Sequence, residues 1–112
     1  MVVTAADADV VARLRAGDQA AFRDLVTRNH AAMVRFASGY VPSTAVAEEV
    51  TQDTWIAVIR GIDGFEGRSS LRTWIFRILA NQARTRGARV ARSRGWIVSA
   101  IARHQFAPPK TR

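Results

Sequence analysis

The chain has no cysteine among its 112 residues, so neither a disulfide framework nor a thiolate metal site is available, and the composition suits a reducing cytosol. From Arg68 to the C-terminus it has no acidic residue either, against eleven basic ones. The first 67 residues carry six basic and nine acidic side chains, so the formal net charge of +8 divides into −3 and +11. No window approaches the roughly 20 apolar residues of a membrane span. The N-terminal stretch MVVTAADADVV lacks the basic flank of a signal peptide, and a cytoplasmic location is expected. His30 and His104 are the only histidines, no glycine-rich phosphate loop is present, and the Glu48, Glu49 and Asp53 cluster has no histidine partner. These shortages argue against an enzyme and against a metal or cofactor, and they leave His30 as a surface residue of a helix. Alternating runs bounded by turn signals are missing too, which removes a sheet from consideration.

What is present has helical period throughout and is enough for one domain with a modest core. Val10, Val11 and Leu14 share one side of a first helix over Asp7 to Arg15, which Gly17 ends. Asp18 caps a second, long helix whose apolar stripe runs Phe22, Leu25, Val26, Met33, Phe36, Ala37 and Tyr40 and stops at Pro42. Ser43 or Thr44 caps a third, with Val46, Val50, Trp55, Val58, Ile59 and Ile62 inward, and three glycines between Gly61 and Ser70 break it. Ser69 or Ser70 opens a fourth that carries Leu71, Trp74, Ile75, Ile78 and Leu79 inward and runs into arginine-rich sequence to Gly87 or beyond. The expected fold class is all-α, a compact helical bundle of four main helices with a basic C-terminal extension.

Two outward stripes lie opposite those inner faces. On the third helix Glu49, Gln52, Asp53, Ile56 and Arg60 share one side, a mixed surface whose default reading is a solvated helix face, its isoleucine adding only modest weight to a protein contact. On the fourth, Thr73, Arg77, Asn81 and Arg84 offer a hydroxyl, two guanidinium groups for phosphate and an amide for a base edge. The loop between them, Asp63 to Ser70, is short and glycine-bearing, with Phe65 as its apolar anchor. Beside an arginine-rich helix it can wall a pocket for an unstacked base, with Ser69, Ser70 and backbone groups as donors and acceptors.

In this order the segments resemble region two of an extracytoplasmic function sigma factor, within the sigma-70 family. The carrying residues are Gly17-Asp18-Gln19-Ala20-Ala21-Phe22, Ala47-Glu48-Glu49-Val50-Thr51-Gln52-Asp53-Thr54-Trp55, Ile62-Asp63-Gly64-Phe65-Glu66-Gly67 and Leu71-Arg72-Thr73-Trp74-Ile75-Phe76-Arg77-Ile78-Leu79-Ala80-Asn81, four blocks in register across about residues 7 to 94. The resemblance implies a helical domain that docks on the coiled coil of the β′ clamp of core RNA polymerase and captures the non-template strand of the promoter minus-ten element. It places Glu49, Gln52 and Asp53 on the clamp surface, with Ile56 and Arg60 beside them by helical geometry. It places the loop residues Phe65, Arg68, Ser69 and Ser70, together with Asn81 and Trp74, on the DNA side, where the fourth-helix stripe adds Thr73, Arg77 and Arg84 and where Arg72 is also expected. Trp74 matches a tryptophan at the upstream edge of the melted region, while Ile75 stands where housekeeping factors carry a second aromatic, which implies weaker intrinsic melting and stricter promoter choice. Trp74 also fits the inner stripe, so a core role stands beside the DNA role.

Members of the family continue into a helix-turn-helix region four, for which residues 95–112 are too few. The expectation is a region-two domain over residues 1–94 followed by a basic tail or truncated linker. Within that tail Trp96, Ile97, Ile101 and Phe106 could fold back as a terminal helix, and Pro108-Pro109 and the last basic residues read as disordered. The chain is then either a fragment of a longer factor or a truncated one. A truncated sigma-like module that titrates an anti-sigma factor or the clamp without activating promoters is the rival function. A generic basic protein that coats nucleic acid is the third.

Overall fold

Helix signals at the termini decide where each element starts. Thr4 accepts from the Asp7 amide (3.0 Å), Asp18 from Ala21 (3.1 Å), Ser43 from Val46 (3.2 Å) and Ser70 from Thr73 (3.1 Å), each satisfying an amide the helix leaves unpaired. A computed structural model describes the backbone of residues 3–106 and the side chains of residues 3–95, 99 and 100. The elements are α1 (Ala5–Arg15), α2 (Gln19–Ser38), α3 (Thr44–Gly61), a single 3₁₀ turn (Ile62–Gly64) and α4 (Leu71–Phe106), with no strand among the described residues. Gly17 closes α1 by bonding the Leu14 carbonyl while Asp18 bonds that of Arg13, both at 3.0 Å.

α3 is the centre of the fold, packed on α2 along one side and α4 along the other. Val50, Val58, Met33, Ile75 and Leu79 are almost wholly buried between them, and Val11 and Leu14 of α1 complete the cluster. Thr51 and Thr54 are fully buried as well, yet their hydroxyls return to the carbonyls of Ala47 (2.9 Å) and Val50 (2.8 Å), so neither hydroxyl is stranded. The inner faces expected from periodicity hold with two exceptions. Ile59 is 45% exposed and Tyr40 42% exposed, because each sits at the margin of a stripe whose neighbours already fill the interface.

α4 passes through the expected boundary at residue 94 without a break, and its 36 residues make a rod of about 54 Å. The core along it ends at Ala83, and from Ala91 to Gly95 every side chain is exposed. Residues 95–106 therefore extend α4 and do not return over the core as a separate helix. The side chains of Trp96, Ile97, Ile101 and Phe106, and all of Pro108-Pro109, lie outside the described residues. Where α4 crosses the turn after α2, Gly87 rests against the Tyr40 carbonyl so closely that a Cβ would collide with it.

Candidate partner and nucleic-acid interface

On α3 the stripe is where the sequence puts it. Glu49, Gln52, Asp53, Ile56 and Arg60 are all exposed, with Ile56 half open to solvent. Its carboxylates are not alone, however. Arg86 of α4 reaches across, with one guanidinium nitrogen 2.9 Å from Glu49 and the other 3.2 Å from Asp53. Arg86 was not expected here, although the period announces it: Leu71, Ile75, Leu79 and Ala83 step along the inner face of α4, and three residues on is Arg86. Past the end of the core, that face presents a cation to α3.

Between α2 and α3 lies an apolar groove of about 560 Å³ bordered by Phe22, Val26, His30, Trp55, Ile56 and Ile59, with Gln52 and Arg60 at its rim. His30 borders this groove and is half-buried, so it is only partly open to solvent. Its Nδ1 and the Trp55 indole nitrogen are buried without a hydrogen-bond partner.

The loop before α4 is held from several sides. Phe65 is 7% exposed and meets Trp74 edge-on at 5.2 Å, and Ser69 is 8% exposed with its hydroxyl donating to the Ser70 carbonyl (3.1 Å). Ser70 is occupied as the cap of α4, its hydroxyl donating to Thr73 Oγ1 (2.8 Å) and accepting from the Thr73 amide. The side chains of Phe65 and Ser69 thus anchor the loop from inside, and Arg68 points outward, 82% exposed, 3.4 Å from Glu66. Trp74 is half-buried, with its ring between Phe65 and Gly61, which serves packing and leaves an edge exposed.

Along α4 the second stripe opens a groove of about 550 Å³. Thr73, Arg77, Ala80, Asn81 and Arg84 line one wall, and Phe36 of α2 with Phe76 forms the other. Arg77 has no carboxylate within ion-pair distance among the described residues, and the only polar partner of Arg84 there is the Asn81 amide oxygen at 3.1 Å. Arg72 sits elsewhere. Its guanidinium donates to Oδ1 of the buried Asn29 (2.6 Å) and lies 4.7 Å over the Phe76 ring, so it ties α4 to α2 at the edge of the groove. Phe36 and Asn29 were missed as members of this surface because they belong to α2, whose stripe reads as plain core. Among the described residues no cluster of three or more metal-ligating side chains occurs, and no helix is long and apolar enough to cross a membrane.

The domain is all-helical, with a mixed acidic and apolar face on α3, a basic face on α4 and a pinned loop between them. Residues 25–96 match the Sigma-70 region 2 family, and the chain belongs to that family, in its extracytoplasmic function branch. It is 40% identical over 78 residues to the ECF RNA polymerase sigma-E factor of Escherichia coli K12, covering 70% of this chain and 40% of that protein. It is 36% identical over 80 residues to RNA polymerase sigma factor CnrH of Cupriavidus metallidurans, covering 70% and 41%. The chain therefore spans about two fifths of the curated relatives it matches. Among solved structures, an engineered region 2 of sigmaE in complex with GTAAAA superposes with a TM-score of 0.62 at 30% identity, covering 89% of this chain and 94% of that one. CnrH in complex with the cytosolic domain of CnrY superposes at 0.63 and 35% identity, covering 80% and 61%.

Proposed function

We propose that this domain binds core RNA polymerase through the outward face of α3 and reads the non-template strand of a promoter minus-ten element with the loop 65–70 and α4, acting in the cytoplasm. The observation that carries the reading is the α4 groove. Arginines unmatched by carboxylates, an exposed amide and two aromatic rings line one trough beside a glycine-bearing loop, which combines phosphate attraction, a base-edge partner and a stacking surface. Residues 1–94 form the recognition domain in this reading, and the rest of α4 adds basic surface. Phosphate contacts supply most of the affinity, whereas capturing an extruded base offsets an unstacking cost of about a few kcal/mol and supplies selectivity.

The test is competition among single-base variants of a single-stranded hexamer, starting from GTAAAA. The chain is expected to discriminate sharply at one position and to prefer the single strand over duplex. Asn81→Ala is expected to reduce that discrimination by about 1 to 3 kcal/mol, the range for an amide paired with a base edge. A flat profile for the unaltered chain would defeat promoter reading. The second reading, a module that occupies an anti-sigma factor or the clamp without opening promoters, is favoured by the apolar groove between α2 and α3 with Ile56 and Ile59 exposed along it. Stable core binding with no transcript in a reconstituted reaction would select it.

A further inference from the structure

The loop before α4 is pinned by α1, from residues that lie outside the region matched to the family. Arg15 donates through Nε and Nη2 to the Ile62 carbonyl (3.3 and 3.2 Å) and through Nη2 to the Phe65 carbonyl (2.8 Å). The Val3 amide donates to the Gly67 carbonyl at 2.9 Å, and Gly67 has a φ of 71° with Val3 where a Cβ would stand. Asp7 Oδ2 accepts from the Leu71 amide at 2.9 Å, 64 residues away, so the first amide of α4 is capped by α1 while Ser70 caps the third. The start and end of the loop are tied to the same short helix, and its middle to Val3 just before that helix. α1 and the loop also enclose a pocket of about 170 Å³ bordered by Val3, Val11, Arg15, Phe65 and Gly67.

A glycine-bearing loop with two side chains turned inward has little of its own to fix its backbone, and a base pocket requires positions held within about 0.5 Å. We propose that α1 is a strap that sets the geometry of the promoter-reading loop, with Asp7 and Arg15 as positioning residues. This rests on the promoter-reading function above. Both residues act through backbone groups of the loop, so their loss blurs which base is accepted without removing the arginines that bind phosphate. The clamp-facing side of α3 is untouched.

The experiment uses the full chain carrying Asp7→Ala with Arg15→Ala, and separately Asp7→Asn, which keeps an acceptor at the same place. Three quantities are read: discrimination among GTAAAA variants, affinity for core polymerase, and hydrogen exchange at the Leu71 amide. The double variant is expected to lose about tenfold in discrimination, with polymerase affinity within about twofold and Leu71 exchanging faster, and Asp7→Asn to restore most of the first and third. Discrimination unchanged in a double variant that exchanges Leu71 faster overturns the positioning role, and unchanged exchange overturns the strap itself. Discrimination and polymerase affinity falling together show mere loss of fold and also overturn it. A flat profile in the unaltered chain overturns the promoter-reading function and this proposal with it, which keeps the two failures distinguishable.

Discussion

The outward faces of α3 and α4 differ in how their charges are spent. On α3 the two carboxylates already face a guanidinium from within the chain, Arg86, and the remaining surface is half apolar, with Ile56 and Ile59 beside the groove to α2. On α4 the arginines outnumber everything that could neutralise them, and Arg77 meets no carboxylate among the described residues. A face with internal charge compensation and exposed apolar area suits a protein surface, which can bury it; a face of uncompensated cations suits phosphate, whose counterions are released on binding. The difference supports the proposed partners more firmly than the net charge of +8, which hides both faces.

The largest expected effect attacks the α3 face alone. Gln52→Ala combined with Asp53→Arg removes an amide from the rim of the groove and sets a second cation beside Arg86. Core-polymerase affinity is expected to fall by more than about 2 kcal/mol, as for a central contact, while affinity for single-stranded DNA holds or rises. Binding measured against core enzyme and against the hexamer in parallel checks both halves. Unchanged affinity for the enzyme would remove the clamp from this surface.

The reciprocal change, Arg77→Ala with Arg84→Ala, acts on the α4 face. For single strands each phosphate contact contributes about 0.7 to the slope of log affinity on log salt, so two lost contacts flatten the slope by about 1.4. The loss should be similar across base variants, because the arginines address phosphate and not base edges. A slope identical to that of the unaltered chain would show that these side chains point away from the nucleic acid.

Much of this division was legible in the sequence, for physical reasons that also mark where legibility stops. Helical period places Val50, Val58, Ile75 and Leu79 inside and Glu49, Gln52 and Ile56 outside, since each depends only on one helix and one buried side. Ile59 defeats it: a stripe gives a direction, and how wide a partner helix covers that direction depends on packing. Three of the four caps were readable because a cap is local, Asp18 outright and Ser43 and Ser70 each as one of two candidates, while Thr4 was missed. Contacts that join distant segments were not, and these matter most at the site. The bond from Asp7 to Leu71 and those from Arg15 to the loop span 47 to 64 residues, and Asn29 meets Arg72 across 43. Phe65, Ser69 and Arg72 read as DNA-facing from their place in the chain, whereas two point inward and the third is bonded to α2.

The smallest expected effect tests whether the two faces are one electrostatic unit, since Arg86 is their only ion-paired link among the described residues. Its side chain is 24% exposed, but Glu49 and Asp53 are 62% and 48% exposed, so water screens most of the attraction. Pairs of this kind contribute about 1 kcal/mol or less. A double-mutant cycle between Arg86→Ala and Asp53→Ala, followed by urea unfolding, is therefore expected to give a coupling below about 1 kcal/mol at low salt. In 1 M salt, where the Debye length falls to about 3 Å, the coupling should nearly vanish. Core packing through Ile75, Leu79 and Ala83, and not this ion pair, would then hold α4 on α3, leaving the acidic and basic faces free to engage their partners almost independently. A coupling above about 2 kcal/mol that survives high salt would mean the opposite: polymerase and DNA would compete for or share Arg86, and the α3 and α4 faces could not be read as separate surfaces.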